Sequence, residues 1–483
     1  MIAVHPFDDK LHEECGVFGI FGHKDAAAHT ALGLHALQHR GQEAAGIVAF
    51  DGRQFHSHRA LGHVGESFGK EDVIATLPGA AAIGHNRYST SGDTVLRNVQ
   101  PLFADLESGG FALGHNGNLT NALEVRRELV HRGSLFQSTT DTEVIIHLIA
   151  TSRYSSVVDR MVDALRRLTG AYSLVAMTNE SIIGLRDPHG VRPLVLGEHD
   201  GAHILASETC ALDIIGARFV RDVAPGEVVV LDRDGVHSSM PFAAVERRFC
   251  IFEYVYFARP DSIVEGANVY QARRRIGAEL ARERPVDADI VIPIPDSGVP
   301  AALGYARESG IPYELGIIRN HYVGRTFIEP SDRIRHLGVK LKHNANREVI
   351  DGKRVILVDD SIVRGTTSTK IVEMVRNAGA AEIHMRISSP PTRHSCFYGI
   401  DTPERSQLLA ARHDVPAMAK EIGADSLAFL SMDGLYSAMG EAKRDPDNPQ
   451  YCDACFSGEY PSRLLDHDEG TVESQLSLLE EVI

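Results

Sequence analysis

The stretch VILVDDSIVRGTTSTKIVEMVRNAG, residues 355–379, has the pattern of a buried strand, a loop and a helix. Its apolar run is followed by Asp359 and Asp360 at the carboxyl end, where open α/β sheets place their ligands. Gly365 lets the backbone come close to an anion, and the hydroxyl groups after it stand at a helix N-terminus, which favours negative charge. The stretch predicts a phosphate cradle. The alternative is an ordinary strand-to-helix turn with capping hydroxyls and two solvated aspartates.

The residues around this stretch alternate between helix-like and strand-like segments. The helix-like YQARRRIGAELARER (270–284) precedes the apolar run ADIVIPIP (288–295), and PAALGYARESG (300–310), YELGII (313–318) and EIHMRIS (382–388) continue the alternation. Continuous apolar strands that alternate with helices are typical of a buried parallel sheet. We therefore expect an α/β domain that begins near residue 245.

A second polar turn and a basic segment accompany the predicted cradle. In IPDSGVP, residues 294–300, a strand end is followed by Asp296, Ser297 and Gly298, although this weak motif also fits a simple turn flanked by prolines. The polar segment between residues 319 and 347 suits a lid that closes over a polyanion, or else a solvated charged loop. Its basic residues are Arg319, Arg325, Arg333, Arg335, Lys340, Lys342 and Arg347.

Residues 355–379 resemble the motif with which type I phosphoribosyltransferases bind phosphoribosyl pyrophosphate (PRPP). The resemblance implies that Asp359 and Asp360 hold the ribose hydroxyls and Mg²⁺, with Ser297 as a further Mg²⁺ ligand near the pyrophosphate. It also implies a cradle for the 5-phosphate made by Ser361, Val363, Arg364, Gly365, Thr366 and Thr367.

The N-terminal half has a different character, with short strand-like runs broken by Gly, Asn and Asp. Helical spacing at residues 30–40 and 121–131 between these runs indicates a layered α+β domain. Cys15 stands directly before an apolar run, a place where a cysteine is usually a small core residue. Four polar, Gly-rich islands flank the strands and could hold an amino acid and an oxyanion: LQHRGQEAAGI, GHNRYSTSG, GHNGNLTN and TTDTE.

These islands resemble the class II glutamine amidotransferases, which are N-terminal-nucleophile hydrolases with an αββα sandwich. The resemblance implies that Cys15 attacks glutamine with its own α-amine as the base, so residues 1–14 would be a propeptide. It further implies that Asn116 and the Gly117 N–H form the oxyanion hole. The implied glutamine-binding residues are Arg87 for the carboxylate, Asp141 for the amine, and Thr90 and His85 in the pocket wall. Asn86 receives no role.

The chain has six cysteines, and four of them suggest a metal centre. Cys452 and Cys455 form a CxxC pair, whereas Cys250 and Cys396 are single. Such a pair alone fits zinc, redox chemistry or no function, and the two CxxC pairs of a zinc ribbon are not found here. A pair plus two singles also suits a [4Fe–4S] cluster. Cys210 is expected to be a core residue.

The amino-acid composition excludes several classes of protein. With 49 Lys and Arg against 65 Asp and Glu, the net charge is −16, which argues against general binding to nucleic acid or membrane surfaces. The 43% hydrophobic and 24% charged residues are typical of a soluble globular chain, not a disordered one. Without a membrane span or a secretory signal, we expect a cytoplasmic protein.

Taken together, the motifs from Cys15 to about Pro461 resemble the amidophosphoribosyltransferase family, some members of which carry a [4Fe–4S] cluster at the positions of Cys250, Cys396, Cys452 and Cys455. The expected domains are a propeptide (1–14), a glutaminase (15–245), a phosphoribosyltransferase (246–460) and a tail (461–483). The resemblance implies ammonia transfer from glutamine to PRPP in purine synthesis, a tunnel built when the lid closes, inhibition by purine nucleotides, and a homotetramer. The alternatives are another class II amidotransferase, which would lack the cradle, or a catalytically silent PRPP sensor.

Overall fold

The computed structural model describes residues 15–88, 95–320 and 343–467. Its N-terminal half contains two antiparallel sheets, whose strands are numbered here in chain order. The first sheet has seven strands in the spatial order β11 (Arg218–Asp222), β9 (Val195–His199), β10 (Ala202–Ala206), β1 (Gly16–Phe21), β4 (Ala81–Arg87), β2 (Ala44–Phe50) and β3 (Phe55–Leu61). The second has six, in the order β13 (Gly235–Ser239), β12 (Val228–Asp232), β8 (Ile182–Arg186), β7 (Gly170–Met177), β6 (Gly109–Leu119) and β5 (Leu102–Leu106).

The two sheets pack face to face because their strands alternate between an inner and an outer apolar face. On β1, Val17 belongs to the core between the sheets, whereas Phe18 and Ile20 face the outer helices. Gly19 permits the close approach of the sheets, since a Cβ atom there would lie 2.8 Å from Cγ1 of Val175 on β7. The predicted αββα sandwich is confirmed.

Helices cover both outer faces of the sandwich. They span Ala26–Ala36, Val64–Phe68, Glu71–Ala75, Ala122–His131, Thr142–Thr151, Val157–Leu165 and Cys210–Asp213, with a 3₁₀ turn at Leu96–Asn98. The first helix begins and ends earlier than the predicted 30–40. Residues 37–40 form a turn, after which Gly41 passes close to β4: a Cβ atom there would lie 2.8 Å from the backbone of Asn86 and Arg87.

The C-terminal half is built on a four-stranded parallel sheet, as predicted. Its order is β17 (Ile290–Pro293), β20 (Arg354–Asp359), β21 (Glu382–Ile387) and β22 (Ser426–Phe429). Its helices span Val269–Glu283, Val299–Ser309, Arg347–Ile350, Thr366–Asn377, Leu409–Arg412, Val415–Ile422, Met432–Ala438 and Ala454–Ser457, with a π-helix at Glu253–Phe257 and 3₁₀ turns at Arg405–Gln407 and Leu465–His467. No helix in the described ranges is long and apolar enough to cross a membrane.

Three small sheets complete the fold, and one of them corrects a prediction. They pair β14 (Phe249–Cys250) with β23 (Tyr451–Cys452), β15 (Ile263–Val264) with β16 (Ala267–Asn268), and β18 (Ile317–Arg319) with β19 (His343–Ala345). The predicted strand at 313–318 was wrong as a member of the parallel sheet. Only Tyr313 bridges to Val291, and the chain then diverges to form β18.

The last described residues return to the N-terminal half. Thr120 donates its hydroxyl hydrogen to the Arg463 carbonyl at 2.8 Å. The Asp466 carboxylate accepts the N–H groups of Leu123 and Glu124 at 2.8 and 3.1 Å, and so caps the helix Ala122–His131. The expected docking or mobile segment at 474–483 lies outside the described residues.

Candidate active sites

Cys15 lies directly before β1, the central strand of the first sheet. Its thiol is buried and donates towards the Tyr88 carbonyl at 3.5 Å. The register pairs Gly16 with Asn86 on β4, which brings Arg87 beside the sulfur. Burial raises the pKa of the Cys15 thiol to about 11, although Arg87 and the Tyr88 backbone oppose that rise. At neutral pH the thiol is therefore protonated, and it needs a base before it can attack a substrate.

Asn116 and Gly117 lie on β6 of the second sheet. The Asn116 side chain is fully buried, and neither its amide nitrogen nor its oxygen has a hydrogen-bond partner within the described ranges. A buried amide without partners is costly in a folded protein. Gly117 has φ +138°, and a Cβ atom there would lie 2.1 Å from the Ala171 carbonyl oxygen, so only glycine fits. The Asn116 amide thus keeps its hydrogen-bonding capacity within the described ranges, next to a backbone position that only glycine can occupy.

Asp141 is a buried carboxylate directly before the helix Thr142–Thr151. It accepts the Leu119 N–H at 3.0 Å, and His115 Nδ1 lies 3.7 Å away. Burial opposes ionisation, but His115 and the Leu119 N–H outweigh it and hold the pKa of Asp141 below its usual range. A buried anion of this kind is suited to bind an ammonium group.

Of the two residues predicted in the pocket wall, the structure describes His85. His85 faces the space between the sheets, and its Nε2 lies 3.0 Å from the His115 carbonyl oxygen. Burial lowers the pKa of His85 to about 3, so this imidazole is neutral. Its position links β4 to β6 across the sandwich. Thr90 lies outside the described residues.

Sequence reasoning missed Arg40, which lies within one of the polar islands. Its Nε donates to the Cys15 carbonyl at 3.3 Å, and its Nη atoms donate to Glu208 at 2.6 Å and to Glu253 at 2.7 Å. Although burial opposes the charge, the two glutamates raise the pKa of Arg40 further above its usual range. Glu253 belongs to the C-terminal half, so this buried network joins the cysteine to the second domain. A lone arginine gives no sign in the sequence of partners so distant.

The predicted phosphate cradle follows β20 at the carboxyl edge of the parallel sheet. Asp359 and Asp360 are buried, and Asp359 Oδ1 accepts the Asp360 N–H at 3.0 Å. Gly365 adopts φ +86° as the residue before the helix Thr366–Asn377, where the first N–H groups have no partner within the helix. The predicted cradle residues Ser361, Val363, Arg364, Gly365, Thr366 and Thr367 all belong to this turn.

The turn with Ser297 lies on the neighbouring strand. The Ile294 N–H donates to the Val358 carbonyl at 2.9 Å, and a Cβ atom on Gly298 would lie 2.4 Å from the same oxygen. The turns after β17 and β20 are therefore adjacent. Asp296 forms an ion pair with Arg319. Of the predicted basic lid, Arg319 and Arg347 are described, whereas Arg325, Arg333, Arg335, Lys340 and Lys342 lie outside the described residues.

The four candidate metal-binding cysteines come together between the small β14–β23 sheet and the loop before Gly399. Cys250 pairs directly with Cys452, and Cys455 follows in the helix Ala454–Ser457. All are free thiols. Burial raises the pKa of Cys455, and the charges of Cys250, Cys396 and Cys452 raise it further, so the four lie within electrostatic reach. Cys210 is buried apart from them, in the core beside the first sheet, as expected.

Two family models match the two halves of the chain. One, described as a glutamine amidotransferase domain, matches residues 85–213, and the other, a phosphoribosyl transferase domain, matches residues 260–389. The fold and the two sites define the class: a glutamine amidotransferase joined to a phosphoribosyltransferase. An amidophosphoribosyltransferase from Rhizobium etli is 60% identical over 481 residues, which are 98% of this chain and 97% of that protein. One from Bacillus subtilis is 49% identical, over 94% of this chain and 95% of that protein.

A solved structure agrees with these relatives. The B. subtilis glutamine PRPP amidotransferase complexed with ADP and GMP superimposes with a TM-score of 0.88 at 48% identity, covering 93% of this chain and 98% of that one. The chain belongs to the amidophosphoribosyltransferase family and is a glutamine-dependent enzyme of purine biosynthesis.

Proposed function

We propose that the chain joins two reactions: glutamine hydrolysis at Cys15 and amination of PRPP at the cradle after β20. The observation that carries the first is the fully buried amide of Asn116 on β6, which has no hydrogen-bond partner among the described residues, in the same domain as Cys15. The products are glutamate, pyrophosphate and 5-phosphoribosylamine.

In the first reaction the Cys15 sulfur attacks the side-chain amide carbon of glutamine. The base is the α-amine of Cys15, which becomes free when residues 1–14 are removed. The negative charge that develops on the amide oxygen is met by the Asn116 amide and the Gly117 N–H. The C–N bond then breaks, ammonia leaves with the proton taken from the thiol, and water hydrolyses the thioester to glutamate.

The substrate is oriented by charge. Arg87 binds the α-carboxylate of glutamine as a two-pronged donor, and Asp141 binds its α-ammonium group. The lowered pKa of Asp141 supports this role, because its carboxylate is ionised throughout the neutral range. His85 and Thr90 are assigned to the pocket wall.

In the second reaction ammonia attacks C1 of PRPP, the bond from C1 to the pyrophosphate oxygen breaks, and a proton leaves the new amine. The turn at 361–367 holds the 5-phosphate through backbone N–H groups and hydroxyls. Ser297, Asp359 and Asp360 offer the oxygen ligands that Mg²⁺ prefers, and both carboxylates are buried at the turn that would hold the phosphate. When bound, Mg²⁺ would neutralise charge on the leaving pyrophosphate.

Ammonia that escapes to water at neutral pH is mostly protonated and is then no nucleophile. A closed passage between the two sites keeps it reactive, and we assign its cover to the basic lid. The B. subtilis relative was solved with ADP and GMP, and the cradle offers a nucleotide phosphate the same contacts as PRPP. We therefore include feedback by purine nucleotides in the proposal. A homotetramer and a cytoplasmic location are included on the resemblance and on the sequence alone.

We also assign a [4Fe–4S] cluster to Cys250, Cys396, Cys452 and Cys455. The support is the convergence of a CxxC pair and two single cysteines: Cys250 pairs with Cys452, and the charges of Cys250, Cys396 and Cys452 all act on Cys455. Four thiols are the ligand set of a [4Fe–4S] cluster. When bound, the cluster would tie β14, β23 and the Cys396 loop together.

Two measurements test these assignments. Purified enzyme given glutamine and PRPP should release glutamate and pyrophosphate in equal amounts, and a folded protein that releases neither would contradict the proposed function. Anaerobically purified protein should hold iron and sulfide near four atoms each per chain. Cys452→Ser should lose them and Cys210→Ser should keep them, whereas stoichiometric zinc without iron would refute the cluster.

A further inference from the structure

Three histidine rings meet in the glutaminase domain, at the end of β1 opposite Cys15. His23 follows β1, His29 lies in the first turns of the helix Ala26–Ala36, and His199 ends β9. The His23 and His29 ring centroids are 4.3 Å apart, His29 and His199 are 5.0 Å apart, and His23 and His199 are 5.7 Å apart. Neither proposed reaction uses these residues.

We propose that His23, His29 and His199 form a binding site for a divalent transition metal of the zinc class. One ring nitrogen from each histidine lies within 4.8 Å of the other two. The Nδ1 atom of His29 is buried and has no hydrogen-bond partner within the described ranges. Three converging imidazoles with an unsatisfied buried nitrogen are a ready set of neutral nitrogen ligands.

The spacing requires only a small closure around the ion. Zn–N bonds of about 2.0–2.1 Å in a tetrahedral site place the nitrogens roughly 3.3 Å apart. All three side chains are only partly buried, so modest rotamer changes can bring them together. Water or a nearby carboxylate completes the coordination, and Asp200 Oδ2 already lies 3.7 Å from His199 Nε2.

The surroundings of His23 show what must change on binding. Its Nδ1 accepts the Asp25 N–H at 3.1 Å on the surface. Coordination through Nε2 places the ring proton on Nδ1, so this weak bond is released.

The site would act on stability and not on catalysis. It joins the loop after β1, the adjacent helix and the end of β9, which belong to three separate parts of the first sheet and its cover. β1 has six residues between the two sites, so Cys15 lies about 20 Å from the histidines at roughly 3.3 Å per residue. A metal ion that binds the folded state and not the unfolded state raises the free energy of unfolding.

The test compares His29→Gln with His35→Gln in the full chain. His35 is exposed, lies in the same helix and is outside the cluster, so it is a matched control. After equilibrium dialysis against micromolar Zn²⁺, the wild type and His35→Gln should each hold one zinc more than His29→Gln, and only they should gain melting temperature. Because the result is a difference, zinc taken up by the cysteines cancels.

Equal zinc content in His29→Gln and the wild type would overturn the proposal. So would the absence of any zinc-dependent rise in the melting temperature of the wild type. If His29→Gln does not fold, His199→Gln provides the same comparison from the end of β9. Glutamine hydrolysis should be unchanged in every folded variant, which separates this site from the proposed function.

Discussion

Gly117 and Gly399 belong to different domains and touch through their backbones: a Cβ atom on Gly399 would lie 3.0 Å from the Cα of Gly117. The contact is extended by Asn118, whose Nδ2 donates to the Phe397 carbonyl at 3.0 Å. Cys396 begins the same loop. The loop that carries one proposed cluster ligand therefore packs directly against the proposed oxyanion hole. Through this contact the second domain can influence the position of the oxyanion-hole backbone.

Gly399→Ala should impair glutamine hydrolysis selectively. Gly399 has φ +113°, and its new methyl group would press on the Gly117 backbone. A displaced oxyanion donor should lower the glutaminase kcat by about tenfold or more, since each ~1.4 kcal/mol lost from the transition state is a factor of ten. Ammonia-dependent synthesis should persist.

The control is Gly440→Ala, which carries the same backbone strain at φ +100° but has open space around it. Its glutaminase rate should stay near that of the wild type. Equal rates for Gly399→Ala and Gly440→Ala would show that the interdomain contact does not position the oxyanion hole.

Cys15→Ala should abolish glutamine-dependent synthesis and leave ammonia-dependent synthesis intact, because the phosphoribosyltransferase site is separate from the thiol. Cys210→Ala, another buried cysteine, should keep both activities. Both are measured as pyrophosphate release with glutamine or with ammonium salt at high pH. A folded Cys15→Ala enzyme that has lost both activities would contradict two separate sites.

Asn116→Ala should separate catalysis from stability. Loss of one oxyanion donor typically lowers kcat by about 10²–10³. Stability should not fall with it, because the native amide has no partner within the described ranges and its burial is already unfavourable. Asn98→Ala should instead lower the melting temperature, since Asn98 bonds to Thr139 through both its amide nitrogen and its oxygen. A large drop in the stability of Asn116→Ala would indicate a structural role.

The pH dependence should follow the α-amine of Cys15 and not its thiol. The amine acts as a base only when unprotonated, so glutaminase kcat/KM should fall as the pH drops through about 7.7–8.0, the ordinary pKa of an α-amino group. Burial holds the thiol pKa near 11. A rate that continues to rise towards pH 11 would mean that direct ionisation of the thiol limits the reaction.

Local patterns in the sequence were sufficient to predict the elements whose backbone conformation is determined by neighbouring residues. The apolar run before Asp359 predicts a buried strand, and Gly365 before a row of hydroxyls predicts the turn into the helix Thr366–Asn377. Both follow from backbone geometry within a few residues. The apolar run after Cys15 likewise predicts the strand β1.

Features that depend on distant contacts were not predictable in this way. Arg40 donates hydrogen bonds to Glu208 and Glu253, which are 168 and 213 positions away in the sequence. The residues next to Arg40 in the sequence give no indication of these partners. The prediction that residues 313–318 belong to the parallel sheet was wrong, because strand propensity does not determine which sheet a strand joins. The contact between Gly117 and Gly399 exists only after two domains have packed.

The most direct test is the N-terminus of the working enzyme, read by intact mass and N-terminal sequencing of anaerobically purified protein that turns over glutamine. We predict that Cys15 is the first residue, with its amine free beside the sulfur. Full glutamine-dependent activity in a homogeneous protein that still begins at Met1 would contradict the account, because the nucleophile would then have no amine to accept its proton.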